Sequence, residues 1–150
     1  MNKPPTWPIS VKGVAVVGGR VALAKNERDE WELPGGRLES GDGSLEAAVE
    51  REIQEETGWS VEAGPLLDVW IYQPLPETSP ESRVVIVTYG CTVLTPDTEP
   101  VVSHEHQQLG MFTAGQVRGL RMPDGYKRSI EAWFGRGRQG AGAEGFLTLD

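Results

Sequence analysis

Hydrophobic and polar positions alternate in blocks along the chain, and each block predicts an element. Val11–Val17 is an apolar strand candidate, Gly18-Gly19 supplies a turn, and Arg20–Lys25 reads as the returning strand of a hairpin. Asn26–Glu30 is a polar turn. Trp31–Leu33 is short and extended, because Pro34 disfavours helix in the residue before it. Pro34–Gly43 is a glycine-rich loop. Ser44 is placed to cap a helix over Leu45–Thr57, whose residues are strong helix formers, and Gly58 fits its C-terminal stop.

Beyond the helix, Val61–Tyr72 contains one or two strands and Arg83–Leu94 is the clearest long strand. Polar loops fill Gln73–Ser82 and Thr95–His106, and Gln107–Phe112 is a further strand candidate. Pro123-Asp124-Gly125 precedes a second helix over Tyr126–Phe134. Gly135–Gly145 reads as a flexible stretch, followed by a short apolar segment, Phe146–Leu149, suited to an edge strand of this sheet or of a partner's. Strands dominate, with one central and one late helix. The pattern predicts a single α/β (α+β) domain over residues 1–150, a mixed sheet packed between helices, with 136–150 as a glycine-rich tail.

The central helix carries the chemistry. On a wheel of 3.6 residues per turn, Leu45, Ala48 and Val49 form an apolar stripe. The same stripe continues through Glu52, Ile53 and Glu56, with Glu55 at its border. Packing alone does not select carboxylates there, and glutamates three and four apart repel on one face. A divalent cation would offset that repulsion, and hard cations such as Mg²⁺ take oxygen ligands. The competing reading is a solvated acidic face. Gly35 and Gly36, just upstream, allow close backbone approach to a ligand or metal.

Composition narrows the partners. Net charge is −8 and no basic run is present, which argues against a nucleic-acid polymer. A small polyphosphate can still bind an acidic protein when cations bridge the two. Cys91 is the one cysteine, expected buried in a strand, so no intrachain disulfide framework exists. No apolar run is long enough to span a membrane, and Met1–Pro8 lacks a signal-peptide pattern, which predicts a cytoplasmic protein without membrane contact.

The segment Leu33–Trp59 reads LPGGRLESGDGSLEAAVEREIQEETGW. It resembles the signature box of the Nudix hydrolase family (MutT-like): Gly, five residues, Glu, seven residues, Arg-Glu, an aliphatic, any residue, Glu-Glu, any residue, Gly, an aliphatic. Gly36 matches the opening and Arg51–Gly58 matches the second half. Three positions depart from it. Asp42 stands where the family has Glu, one extra residue, Gly43 on that alignment, precedes Arg51, and Trp59 replaces the aliphatic.

The resemblance implies a three-layer fold and Mg²⁺- or Mn²⁺-dependent cleavage of a nucleoside diphosphate linked to another group. It implies Glu52, Glu55 and Glu56 as metal ligands, joined by the carbonyl of Gly35, with Arg51 orienting the glutamates. Glu105, between His104 and His106, is the candidate for a further acid from a later loop. Glu52 and Glu105 both qualify to accept the proton of the attacking water. Gly35, Gly36, Arg37, Trp70, Tyr72 and Phe112 are candidates for contact with substrate, the aromatics as a platform for a base or ribose.

Nucleoside triphosphates or modified nucleotides are the expected substrates, because Gly35-Gly36 resembles the triphosphate-cleaving members. Pro74, fifteen residues beyond Trp59, is near the spacing that the resemblance associates with ADP-ribose hydrolases, so ADP-ribose, or a nucleotide sugar, is the alternative substrate. A nucleotide sensor without activity is the alternative of another class, and it is disfavoured because all three glutamates are present. A dinucleotide fold from Gly13, Gly18 and Gly19 fails on spacing. Members of the family are often dimers, so a homodimer is also implied.

Overall fold

The computed structural model describes residues 3–74, 82–101 and 108–146, with side chains described to residue 136. Strands β1 (Ile9–Val17) and β2 (Arg20–Lys25) form the expected hairpin. Their turn is Gly18-Gly19, with φ of 60° and 76°, a left-handed pair that glycine adopts without a Cβ penalty. Strands β3 (Trp31–Glu32) and β4 (Gly35–Arg37) follow, then helix α1 (Leu45–Thr57), β5 (Val61–Tyr72), β6 (Val84–Val93), β7 (Gln108–Phe112), α2 (Ala114–Arg118) and α3 (Asp124–Phe146).

The sheet runs β3-β2-β1-β6-β5, with β4 paired to β1 and β7 to β2. It is mixed: β1 and β6 are parallel, pairing Val11 with Val87, and the other pairings are antiparallel. Two register shifts interrupt β5 against β6, between Ala63 and Leu66 and between Leu66 and Asp68. That is why Val61–Tyr72, readable as one strand or two, is a single irregular strand.

Two cores flank the sheet. Val11, Ala15, Ala48, Val49, Ile53 and Trp59 belong to the core on the α1 side. Val14, Leu23, Ile86, Val117, Tyr126 and Ile130 belong to the core on the α2 and α3 side. The alternation of Val11 and Ala15 with Val14 along β1 serves both layers, the expected α/β/α sandwich. Gly13 sets the spacing of the first core: a Cβ there would collide with Ile53 Cδ1 and lie 2.9 Å from Cys91 Sγ. Cys91 is buried as expected. Burial pushes its thiol up to about 12.

Three local readings are corrected. The Pro34–Gly43 loop contains β4, whose partner β1 lies far away in sequence, so no local pattern marks it. The short helix α2 also escapes periodicity, although Thr113 and Gln116 form a reciprocal capping box at its start. The second helix is longer than expected. It begins at Asp124, and its backbone runs through the glycine-rich stretch to Phe146, where an edge strand was expected to start. Leu147–Leu149, the rest of that strand, lies outside the described residues. No helix among the described residues is long and apolar enough to cross a membrane.

Candidate active site

Helix α1 is held at both ends. Ser44 Oγ accepts from Ala47 N at 3.0 Å, and Gly58 closes the helix at φ 81° with its N–H bonded to Gln54 O. Such a cap contributes roughly 1 kcal/mol. Ile53 and Val49 anchor the helix on the sheet, which fixes where Glu52 and Glu56 point. Both are buried, at 8% and 5% exposure, so the solvated-face reading does not hold for them.

Strand β4 supplies the opposite wall. Gly35 N donates to Glu56 Oε1 at 3.3 Å. A Cβ on Gly36 would come 2.5 Å from the Glu52 carboxyl carbon, so the absence of a side chain makes room for that carboxylate. Gly35 has φ 149°, and a Cβ there would strike the Val11 carbonyl. The two glycines therefore let β1, β4 and the carboxylates of α1 meet.

Arg51 organises the outer rim. Its Nε and Nη2 donate to Asp42 Oδ1 and Oδ2 at 2.9 and 3.0 Å, and its Nη1 donates to Glu52 and Glu55, each at 3.2 Å. The salt bridge to Glu55 exists, but it is one spoke of a larger fan. Asp42 also accepts from Glu39 N at 2.8 Å. These bonds from Arg51 and Glu39 hold its carboxyl below the usual range. The extra residue Gly43 lies in open space, with nothing within 4 Å of a Cβ built on it. The insertion thus leaves the shorter acid within reach of Arg51.

Burial raises the pKa of Glu52, and the charge of Glu55 adds to that, against the pull of Arg51. The donor set of carboxylate oxygens has the chemistry a hard divalent cation requires. The fit is one of donor type, not of a finished shell. Glu55 is turned to Arg51, and among the described residues no three His, Cys, Asp or Glu side chains converge to hold an ion. Glu105 and its flanking His104 and His106 lie outside the described residues.

A cavity of about 190 Å³ has Gly36 and Arg37 in its wall. Lys12, Arg28, Glu32, Tyr72 and Tyr126 line it, with Pro74, Val84 and Ile86 as apolar surface. Of the three aromatic candidates only Tyr72 lies there. Its hydroxyl donates to Glu30 Oε1 at 3.3 Å. Trp70 packs edge-on against Tyr126 at 5.2 Å and fills the space over Gly125, making it part of the α3 contact. Phe112 packs edge-on against Trp31 at 4.8 Å, inside the second core.

Sequence reasoning missed Lys12, Arg28, Glu32 and Tyr126. Lys12 is 6% exposed and 3.9 Å from Glu32. Burial works against its charge, yet Tyr126, Glu32, Glu56 and Glu52 outweigh it and hold the ammonium above its usual range. One signal was available, a lysine inside an otherwise apolar strand. A larger cavity of about 570 Å³ lies between α2 and α3. It contains none of the predicted site residues, and size alone does not make it the site.

Trp59, the third departure, is 1% exposed and donates from Nε1 to Thr98 O at 2.7 Å. It ties the end of α1 to the loop after β6.

The chain belongs to the NUDIX domain family, whose model matches residues 9–134. A MutT-like protein of Streptomyces ambofaciens is 44% identical over 71 residues, 46% of this chain and 46% of that protein. The putative nudix hydrolase 1 of Caenorhabditis elegans is 43% identical over 47 residues, 31% of this chain and 13% of that protein. The chain thus spans less than half the length of these curated relatives. Among solved structures, a MutT NUDIX hydrolase from Burkholderia pseudomallei superposes with a TM-score of 0.68 at 26% identity, covering 86% of this chain and 98% of that one.

Proposed function

We propose that this chain is a Mg²⁺- or Mn²⁺-dependent hydrolase of nucleoside diphosphate derivatives, with nucleoside triphosphates or modified nucleotides as substrates. The observation that carries the reading is the pair of buried carboxylates, Glu52 and Glu56, set against the glycines of β4. Burying two like charges on one helix turn costs several kcal/mol unless something offsets them. Glu52, Glu55 and Glu56, with the Gly35 carbonyl and Glu105, would hold the cation. When bound, such an ion lowers the pKa of a coordinated water and offsets charge on the phosphates.

The chain's own groups do the rest. Arg51, fixed by Asp42, sets the positions of Glu52 and Glu55 through its Nη1. Glu52 and Glu105 are the two groups proposed to accept the proton of the attacking water. The water oxygen bonds to phosphorus, the anhydride P–O bond breaks, and the leaving phosphate takes the electron pair. Gly36 gives the Glu52 carboxylate its room and lines the cavity beside it, where the substrate's phosphates would pass.

A panel of ordinary and oxidised nucleoside triphosphates, ADP-ribose and nucleotide sugars, assayed with Mg²⁺ and Mn²⁺, tests the reading. Glu56→Gln should lower kcat by orders of magnitude with the fold intact. Near-wild-type turnover in that variant would refute the site. ADP-ribose is the second reading, and one observation favours it: Pro74 lines the cavity beside Tyr72. A clear kcat/KM preference for ADP-ribose would reverse the order of substrates. Binding without hydrolysis of any member of the panel would favour a sensor. A homodimer remains a proposal, tested by light scattering.

A further inference from the structure

We infer that Lys12 is a substrate-binding residue, whose ammonium holds a phosphate group of the substrate in the cavity bounded by β1, β4 and Tyr126. This deepens the proposed function and rests on it for the identity of the phosphate-bearing ligand. The first support is charge. The chain carries −8 overall, yet three of the four charged side chains lining this cavity are cations, Lys12, Arg28 and Arg37, against Glu32; Arg28 is also paired with Glu27 and Glu30, which leaves Lys12 and Arg37 to receive an anion. A concave site of that sign concentrates anions.

The second support is how Lys12 is partnered. A buried ammonium is costly unless well paired. Its ion-pair partner among the described residues is Glu32, at 3.9 Å, beyond hydrogen-bond reach. That carboxylate is also shared, since Asn26 Nδ2 donates to it at 3.1 Å and Arg28 lies 4.0 Å away. Among the described residues Lys12 thus has no acceptor within hydrogen-bond distance, its ammonium lying 5.9 Å from the centre of the Tyr126 ring, and a phosphate oxygen supplies one.

The third support is position. Gly36 lines the cavity and also abuts the Glu52 carboxylate. A ligand held by Lys12 therefore lies in the same cavity as Gly36, whose neighbour is the Glu52 carboxylate, and a polyphosphate extending past Gly36 would meet the acidic helix. Tyr72 and Tyr126 give the rest of such a ligand an aromatic wall.

The alternative is that Lys12 only neutralises Glu32, and the test separates the two roles. Lys12→Met alone removes one cation from beside the half-buried Glu32, so the informative protein is the double variant Lys12→Met/Glu32→Gln, with Glu32→Gln as its control. Binding of α,β-methylene-ATP and its guanosine counterpart is measured by calorimetry, with Mg²⁺ and in chelator, beside the unphosphorylated nucleosides. Loss of a charge-assisted contact predicts affinity for the analogues about ten- to a hundredfold weaker in the double variant. Nucleoside binding should be unchanged, and Glu32→Gln should bind the analogues at least as tightly as the wild type. In turnover, KM should rise with kcat within a few fold.

Wild-type analogue affinity in the double variant overturns the inference, and so does an equal loss for nucleosides. The proposed activity can fail separately. A wild-type protein that hydrolyses nothing, yet binds the analogues through Lys12, removes the hydrolase and leaves this contact standing.

Discussion

Arg51 and Asp42 face each other through two parallel hydrogen bonds, Nε to Oδ1 at 2.9 Å and Nη2 to Oδ2 at 3.0 Å. This fork fixes the plane of the guanidinium and so aims its remaining nitrogen at Glu52 and Glu55. Asp42→Asn keeps the shape and removes the charge. A residue that acts by orienting others typically costs about ten- to a hundredfold when altered. We expect kcat to fall in that range with KM changed less. Unchanged kcat would mean that Arg51 needs no anchor.

Gly36→Ala tests the contact between β4 and α1. The added methyl must occupy the space taken by the Glu52 carboxylate, 2.5 Å from its carbon. The side chain can swing away, so the fold should survive with a small loss of melting temperature. Activity should fall by roughly two orders of magnitude or more, as expected for a displaced group at a reacting centre. Activity near that of the wild type would show that the Glu52 position is immaterial.

Glu52 and Asp42 should respond to pH with opposite signs. The Asp42 pKa is depressed, so its contribution to stability is present above the unfolded value and is lost as pH falls through the lower folded value. The Glu52 pKa is raised, so the folded state binds its proton more tightly. In chelator, Glu52 therefore costs stability at neutral pH and relieves that cost as pH falls through its raised value. Glu52→Gln should melt higher than the wild type at neutral pH in chelator, and the gap should close under acid. Millimolar Mg²⁺ should raise the wild-type melting temperature more than that of the variant, because a cation that binds only the native state stabilises it. Parallel pH curves for the two proteins would contradict the assignment.

Trp59→Ala should cost about 3–5 kcal/mol, the range for emptying a buried aromatic site. The loss combines a side chain that is 1% exposed with the bond from its Nε1 to Thr98 O. Urea unfolding measures it. A change below about 1 kcal/mol would indicate that the site collapses freely.

Helix α1 was readable in the sequence because everything that makes it is local: the Ser44 cap, the Gly58 stop, and a stripe that turns from apolar to acidic. The β1–β2 hairpin was readable for the same reason. Lys12 was not, since a lysine in an apolar strand reads as a tolerated exception until Glu32, Arg28 and Tyr126 are brought around it by residues far apart in the chain. Trp70 and Phe112 were plausible platforms by type and position, but Trp70 packs against Tyr126 of α3 and Phe112 against Trp31 of β3, partners distant in the chain. The reach of α3 was hidden by glycine, which disfavours helix by about 1 kcal/mol per residue.

The bare Cα of Gly13 under Ile53 and Cys91 also limits how this sequence can drift. Any replacement adds at least one carbon where α1 rests on β1, and the helix would ride outward with its carboxylates. Room can be returned only by trimming a neighbour, and Ile53→Val is the smallest such change. In a randomised library selected for function, larger residues at 13 should therefore be recovered in company with smaller ones at 53 and rarely alone. The two positions would behave as a single unit of variation.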